Sequence, residues 1–188
     1  IGLAGAGVQG YHQALFACSV RNIRKINIYD PYNKDIKTFI GRLKALLPEV
    51  DITDVKDLSA FVKQSEAIIT ATTSLTPVLP DEPELLRDKH FIGIGSYRPD
   101  MREFPDGLFS LLKEVIIDTP LATKESGDLS QPLRAGLIRK EQVHSLGKLV
   151  NGAVTIDDAQ TTFFKSVGMA LFDLTAAEAI YKIGRAHV

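Results

Sequence analysis

Three glycines near the start of the chain could form a phosphate-binding turn. Gly5, Gly7 and Gly10 have the spacing G-x-G-x-x-G and directly follow an apolar run. In this fingerprint the first glycine permits a tight turn, the second lets the backbone approach a pyrophosphate, and the third lets a helix pack against a strand. The N–H groups that open the helix can then face an anion. The spacing predicts a dinucleotide site, although three glycines in ten residues also occur by chance.

An acidic residue follows at the distance that the fingerprint requires. The strand-forming residues 26–29 lead to Asp30, about 20 residues beyond Gly10. A carboxylate there can accept hydrogen bonds from both hydroxyls of an adenosine ribose, whereas it would repel a 2′-phosphate. Asp30 therefore predicts NAD in preference to NADP. The alternative interpretation of Asp30 is a plain surface turn at an Asp-Pro pair.

The elements that would position these residues alternate between strand and helix patterns. Residues 33–47 repeat apolar side chains at helical spacing, and Pro48 ends that helix. Further strands are predicted at 50–52, 67–71, 90–95, 115–118 and 161–164, a last helix at 169–181, and only short helices and loops at 120–152. This alternation indicates an α/β protein with a doubly wound parallel sheet, the Rossmann fold, whose ligands bind at the carboxyl ends of the strands.

Composition limits the function classes. The chain has 188 residues, 45% hydrophobic and 24% charged, with a net charge of -1, which is typical of one domain with a sizeable core. This balance of charge gives no electrostatic support for binding to nucleic acid or to an anionic membrane. The single cysteine, Cys18, excludes an internal disulfide and is typical of a reducing compartment, so a cytoplasmic location is predicted.

Both ends of the sequence look artificial. The chain has no initiator Met and its first strand is already under way at Ile1, so we expect a preceding segment. Residues 183–188 resemble a translated adapter read-through, so we expect them to belong neither to the fold nor to the site.

Five segments together resemble the ornithine cyclodeaminase/mu-crystallin family. The matching segments are residues 5–9 with His12, 70–73, 92–103, 125–129, and 164–170 with Asp173. The resemblance implies a homodimer in which a nucleotide domain is joined to a substrate-binding and dimerisation domain. It also implies the following division: 1–165 as the Rossmann dinucleotide-binding domain, 166–182 as a C-terminal helix leading back to the second domain, and 183–188 as the artefactual tail.

The resemblance also implies which residues bind. It implies cofactor contacts around the glycine turn, at the ribose and at the strand ends: Gly5, Gly7, Val8, Gln9, Gly10, Asp30, Thr73, Gly93, Ile94, Gly95 and Ser166. Val167 would face the substrate. Thr73 has an alternative interpretation as an ordinary turn hydroxyl, and Ser166 as an N-cap of the last helix. The basic residues that hold the substrate carboxylate in the family come largely from the expected preceding segment.

One position departs from the cyclodeaminase pattern. Cyclodeaminases carry a catalytic aspartate shortly after the glycine-containing strand, and Tyr97 stands at the matching position. A phenol, with an ordinary pKa of about 10, substitutes poorly for a carboxylate at neutral pH. Asp100 is three positions away, and the form Ser-x-Arg-Pro-Asp is similar to the imine and ketimine reductases of the family. Tyr97 and Arg98 are therefore candidate catalytic residues that orient the substrate or donate a proton, unless Arg98 is a surface residue beside a proline turn.

These observations predict an NAD(H)-dependent oxidoreductase. It would transfer hydride at the Cα–N bond of a small α-amino or cyclic imino acid, as pyrroline- and piperideine-2-carboxylate reductases or ketimine reductases do. The alternatives are ornithine cyclodeaminase, which forms proline and ammonia, and a non-catalytic ligand-binding protein of the mu-crystallin type. The scattered His12, His90 and His144 are interpreted as structural, so no metal site is predicted. The chain alone is expected to be inactive.

Overall fold

A computed structural model describes residues 1–185 of the chain, and the strands in this range form one parallel sheet. The strands are β1 Gly2–Ala4, β2 Lys25–Tyr29, β3 Asp51–Asp54, β4 Ala67–Thr70, β5 His90–Gly93, β6 Val115–Ile117, β7 Val143–Ser145 and β8 Thr162–Lys165. Their order across the sheet is β3-β2-β1-β4-β5-β8-β6-β7. The direction of winding reverses between β1 and β4, and this reversal creates a crevice at the carboxyl edge.

Helices cover both faces of the sheet. They are α1 Val8–Val20, α2 Ile36–Leu46, α3 Leu58–Lys63, α4 Pro83–Leu86, α5 Asp106–Phe109, α6 Ala122–Glu125, α7 Gly127–Ala135, α8 Leu146–Val150 and α9 Ala170–Arg185. Leu3, Ile28 and Ile69 belong to the apolar cluster on one face, whereas Ile68 and Phe91 belong to the cluster on the other. Successive residues of a strand point to opposite faces, so continuous apolar runs such as 67–70 are the pattern of a strand buried on both sides. The predicted doubly wound sheet is confirmed.

The sequence pattern placed some boundaries wrongly. The strand predicted at 90–95 ends at Gly93, because the N–H groups of Gly95 and Ser96 bind the side chain of Glu103 instead of a neighbouring strand. The stretch 120–152 was predicted to contain only helices and loops, but it includes strand β7. With three residues and a histidine in the middle, β7 lacks the apolar run that marked the other strands.

The last helix is longer than predicted. The sequence pattern gave 169–181, whereas α9 spans Ala170–Arg185 and is exposed along its length. It therefore includes the first three residues of the segment 183–188 that we interpret as an artefactual tail. Residues 186–188 of that segment lie outside the described residues.

Candidate functional site

The glycine turn has the geometry that the fingerprint requires. Gly5 directly follows β1 with φ +99°, and a Cβ added there would lie 2.6 Å from the carbonyl oxygen of Ala71. A Cβ on Gly10 would lie 2.1 Å from the carbonyl oxygen of Gly5, so α1 packs directly on the turn. A Cβ on Gly7 would meet no atom within 4 Å. Two glycines are thus required by the fold, and the third leaves open space at the start of α1.

The N-terminus of α1 is available to an anion. Gly7 is the N-cap, and no side chain of residues 1–185 caps the helix. Val8 and Gln9 are exposed, and the first turn carries no acidic residue. The free N–H groups of a 13-residue helix and its dipole favour negative charge at this end.

Asp30 connects the end of β2 to the glycine turn. Its Oδ2 accepts a hydrogen bond from Ala6 N at 2.8 Å. Its Oδ1 accepts from the N–H groups of Tyr32 at 3.1 Å and Asn33 at 3.0 Å. The two hydrogen bonds at Oδ1 form a local turn, as the alternative interpretation of Asp30 predicts. A carboxylate offers about four lone-pair positions, so Oδ2 retains one for a ligand hydroxyl.

The loops after β4 and β5 meet at one buried carboxylate. Glu103 has no exposed surface. Its Oε1 accepts from Thr72 N at 2.7 Å and Thr72 Oγ1 at 2.8 Å, and its Oε2 accepts from Gly95 N at 2.8 Å and Ser96 N at 3.1 Å. Burial, and next the nearby carboxylate of Asp128, raise the pKa of Glu103, while Lys165 and Thr72 oppose the rise. We call this arrangement of Glu103, Thr72, Gly95 and Ser96 the Glu103 clamp.

Two further buried charges surround the clamp. Asp128 Oδ1 accepts hydrogen bonds from Glu103 N at 2.7 Å and Phe104 N at 3.2 Å. Asp128 Oδ2 lies 3.3 Å from Nζ of Lys165, the last residue of β8, and both side chains are fully buried. Among the described residues neither Oδ2 nor Nζ has a hydrogen-bond partner, so the two groups interact as charges.

A second carboxylate fixes the segment after β8. Asp118 follows β6, and its Oδ2 accepts from Ser166 Oγ at 2.8 Å, Val167 N at 2.9 Å and Gly168 N at 2.8 Å. We call this arrangement the Asp118 clamp. The interpretation of Ser166 as an N-cap is wrong, since α9 begins only at Ala170 and the hydroxyl donates to Asp118.

The candidate catalytic pair lies at the surface. The Tyr97 side chain is 54% exposed. Arg98 forms an ion pair with Asp100, with Nε to Oδ1 at 3.1 Å and Nη2 to Oδ2 at 3.2 Å. The Arg98 carbonyl accepts from Gly127 N at 3.0 Å, which fixes the backbone but leaves the side chain outside. Arg98 would have to leave Asp100 in order to bind a substrate.

Most of the predicted contact residues share one edge of the sheet. The glycine turn follows β1, Thr73 follows β4, Gly93 ends β5 with Ile94 and Gly95 beyond it, and Ser166 and Val167 follow β8. These strands are consecutive in the order β1-β4-β5-β8, and Asp30 follows β2 next to β1. Thr73 is exposed at this edge, and its side chain forms no hydrogen bond within residues 1–185.

Sequence reasoning missed four buried residues behind this edge, namely Glu103, Asp118, Asp128 and Lys165. Asp118 ends the strand predicted at 115–118, and Lys165 directly follows the strand predicted at 161–164. This position was the available signal.

Residues 1–185 offer no cluster of metal ligands and no membrane-spanning helix, and two of their histidines contact polar side chains. Within the described range, no group of three His, Cys, Asp or Glu side chains could hold a metal ion. His90 Nδ1 contacts Thr162 Oγ1, and His144 Nε2 lies 2.5 Å from Glu114 Oε2. None of the helices described here has both the length and the apolar character to cross a membrane.

Comparison with known proteins finds relatives that are named as reductases. The Delta(1)-pyrroline-2-carboxylate reductase of Bacillus cereus is 30% identical over 182 residues, covering 95% of this chain and 54% of that protein. The ketimine reductase mu-crystallin of Mus musculus is 28% identical over 179 residues, covering 95% of this chain and 53% of that protein. The chain therefore spans about half the length of the curated relatives it matches.

A solved structure agrees with these relatives. Thermococcus litoralis Delta(1)-pyrroline-2-carboxylate reductase in complex with NADH and L-proline superposes with a TM-score of 0.89 at 30% identity, covering 99% of this chain and 58% of that one. The model of the ornithine cyclodeaminase/mu-crystallin family matches residues 1–186. Since that match includes nearly every residue, the chain belongs to the ornithine cyclodeaminase/mu-crystallin family.

Proposed function

We propose that the complete protein is an NAD(H)-dependent oxidoreductase that reduces a small cyclic imino acid at its Cα–N bond. The observation that carries this proposal is that the glycine turn, Thr73, Ile94 and Ser166 follow strands that are adjacent in the sheet. They lie at the edge where an open α/β sheet forms its ligand crevice. The Bacillus cereus and Thermococcus litoralis relatives, both named Delta(1)-pyrroline-2-carboxylate reductase, support the reaction class.

The residues of the crevice fit a dinucleotide. The open space beside Gly7 and the uncapped start of α1 suit a pyrophosphate. The remaining lone pair of Asp30 Oδ2 suits a ribose hydroxyl, and its negative charge opposes a 2′-phosphate. We therefore propose NAD in preference to NADP.

The chain itself supplies binding and orientation. Val8 and Gln9 border the pyrophosphate, while Thr73, Ile94 and Ser166 hold the nicotinamide half. Val167 gives the substrate an apolar surface. The bound cofactor supplies the hydride, and the protein's share of catalysis is to hold the reacting atoms in place.

Tyr97 and Arg98 are the proposed catalytic residues. Tyr97 is exposed at the mouth of the loop after β5, where its hydroxyl can donate a proton or a hydrogen bond. The Arg98 guanidinium, once released from Asp100, can bind a carboxylate with two parallel hydrogen bonds. Tyr97→Phe and Arg98→Gln in the complete protein test these two roles by their separate effects on kcat and KM.

We also propose a homodimer located in the cytoplasm, with residues 1–165 as the nucleotide domain and 166–182 leading to a second domain. The unpaired Cys18 and the exposed apolar side chains of α9, including Leu171 and Ile180, support this proposal. Sedimentation of the complete protein tests the dimer. The interpretation of residues 183–188 as an artefact stays a prediction, and independent sequencing of the gene tests it.

The complete protein should oxidise NADH in the presence of Δ1-pyrroline-2-carboxylate or Δ1-piperideine-2-carboxylate. Absence of turnover with both imino acids would contradict the proposal. Release of proline and ammonia from ornithine, without added NADH, would identify a cyclodeaminase instead. Tight NADH binding without turnover of any imino acid would identify a ligand-binding protein of the mu-crystallin type.

A further inference from the structure

We propose that Glu103 is a positioning residue for the nicotinamide half of the crevice, and that Asp128, paired with Lys165, holds the backbone of Glu103 in place. The pairing of β4 with β5 ends at Thr70 and Gly93. One more backbone bond follows, from Ile94 N to the Thr70 carbonyl at 2.9 Å. Beyond that point the sheet no longer fixes the two loops relative to each other.

Beyond the end of the sheet, the Glu103 carboxylate connects the two loops. It accepts four hydrogen bonds, two from Thr72 on the β4 side and two from Gly95 and Ser96 on the β5 side. The loops are in direct contact, because a Cβ on Gly95 would lie 2.1 Å from the Thr72 carbonyl oxygen. The backbone N–H of Val78 also donates to the Glu103 carbonyl at 2.8 Å, so the loop after β4 is held from both sides of this residue.

The position of Glu103 is itself determined by buried charges. Asp128 accepts the backbone N–H of Glu103 and pairs with Lys165 at 3.3 Å. The Lys165 stem crosses beneath β5, since its Cδ would lie 3.2 Å from a Cβ on Gly93. The loops after β4 and β5 and the end of β8 thus meet at one buried group of charges.

Such an arrangement is costly if stability alone is considered. Replacing a buried ion group with apolar side chains of similar volume is often neutral or stabilising in other proteins. What these charges do is fix the two loops relative to each other. The fixed loops leave Thr73 exposed and Ile94 partly exposed at the crevice. These are the residues assigned to the nicotinamide half under the proposed function, on which this part of the inference rests.

The clamp can be tested in the complete protein with Glu103→Gln. The amide places N–H donors opposite N–H donors, so one side of the clamp must open. We expect amide hydrogen exchange to rise about tenfold or more on the side that opens, either at Thr72 or at Gly95 and Ser96. This rise corresponds to the loss of one hydrogen bond to a charged group. Exchange in β1 and β2 should stay unchanged, and kcat should fall by at least a similar factor while KM for NADH changes less.

Asp81→Asn is the matched control. Asp81 also accepts a backbone hydrogen bond from a distant part of the chain, Gly107 N in α5 at 2.6 Å, but it lies outside the crevice. Unchanged exchange and unchanged kcat in Glu103→Gln would overturn the proposal. An equal loss of kcat in Asp81→Asn would also overturn it, because the effect would then be general.

A milder variant covers the case in which Glu103→Gln does not fold. Thr72→Val removes the hydroxyl that donates to Glu103 and accepts from Ser74 N at 3.3 Å, while it keeps the backbone N–H of the clamp. We expect kcat to fall about tenfold. Full kcat in this variant would overturn the proposal. Failure of the wild-type protein to turn over any imino acid would contradict the proposed function instead, while the exchange measurements would still decide whether the clamp exists.

Discussion

The two halves of the crevice are built in different ways. The first half, around β1 and β2, consists of glycine backbone, an uncapped helix start and the half-buried Asp30. The second half, around β4, β5 and β8, is held by the buried Glu103 and Asp118 clamps. Among residues 1–185, no side chain caps the N–H groups at the start of α1 in the first half. In the second half, buried carboxylates accept from the N–H groups of Thr72, Gly95, Ser96, Val167 and Gly168. This difference indicates that the first half of the crevice binds a charged group of the ligand, whereas the second half fixes the shape of the crevice.

Removing the buried cation should have the largest effect. Lys165→Met leaves Glu103 and Asp128 close together without a positive charge, and loss of a buried ion-pair partner costs about 3–5 kcal/mol of unfolding free energy. Chemical denaturation of the complete protein measures this loss. Lys56→Met is the control, because its pair with Asp54 at 2.7 Å is at the surface and should contribute about 1 kcal/mol or less. Equal losses in both variants would contradict the importance of burial.

Alanine substitutions at two glycines should distinguish an effect on stability from an effect on cofactor binding in the first half of the crevice. Gly10→Ala places a Cβ 2.1 Å from the Gly5 carbonyl, so we expect a loss of about 1–3 kcal/mol in unfolding free energy. Gly7→Ala places its Cβ in open space and should leave stability nearly unchanged while weakening NADH binding. Thermal unfolding and NADH titration of both variants provide the comparison. Full NADH affinity in Gly7→Ala would contradict the pyrophosphate site.

Neutralising Asp30 should change cofactor preference. Asp30→Asn removes the charge that opposes a 2′-phosphate but keeps a side chain able to accept from Ala6 N. We expect the ratio of kcat/KM for NADH over NADPH to fall about tenfold, equivalent to 1.4 kcal/mol. An unchanged ratio would show that Asp30 serves only the turn.

The smallest expected effect is a dependence of stability on pH. Burial and Asp128 raise the pKa of Glu103 above its usual 4.5, so the folded state binds a proton more tightly than the unfolded state. This group therefore lowers the unfolding free energy as pH rises from the usual pKa to the raised one. Glu103→Gln should remove that contribution. Denaturation of both proteins across this pH range measures it, and identical slopes would contradict the assignment.

The first half of the crevice could be predicted from the sequence because its parts are close together in the chain. Gly5 lies in the turn after β1, Gly10 lies in the first turn of α1, and Asp30 follows at a fixed distance after one helix and one strand. The alternation of strands and helices likewise gave the parallel sheet, since apolar runs such as 67–70 identify buried strands.

The second half could not be predicted in this way. Glu103 is 31 residues from Thr72, and Asp118 is 48 residues from Ser166, so no local pattern joins them. Their chemistry also gives no signal in the sequence, because an acidic residue in a polar loop is normally exposed. Only the strand order, with β8 between β5 and β6, brings these loops together.

One peptide bond joins the charged group behind the Glu103 clamp to the Asp118 clamp. Lys165 belongs to the charged group behind Glu103, and Ser166, the next residue, donates to Asp118. A displacement on either side reaches the other through a single covalent link, so the effects of substitutions at Glu103 and Asp118 should not add. The two clamps, from Thr72 to Gly168, should therefore move together, because the backbone at the end of β8 connects them.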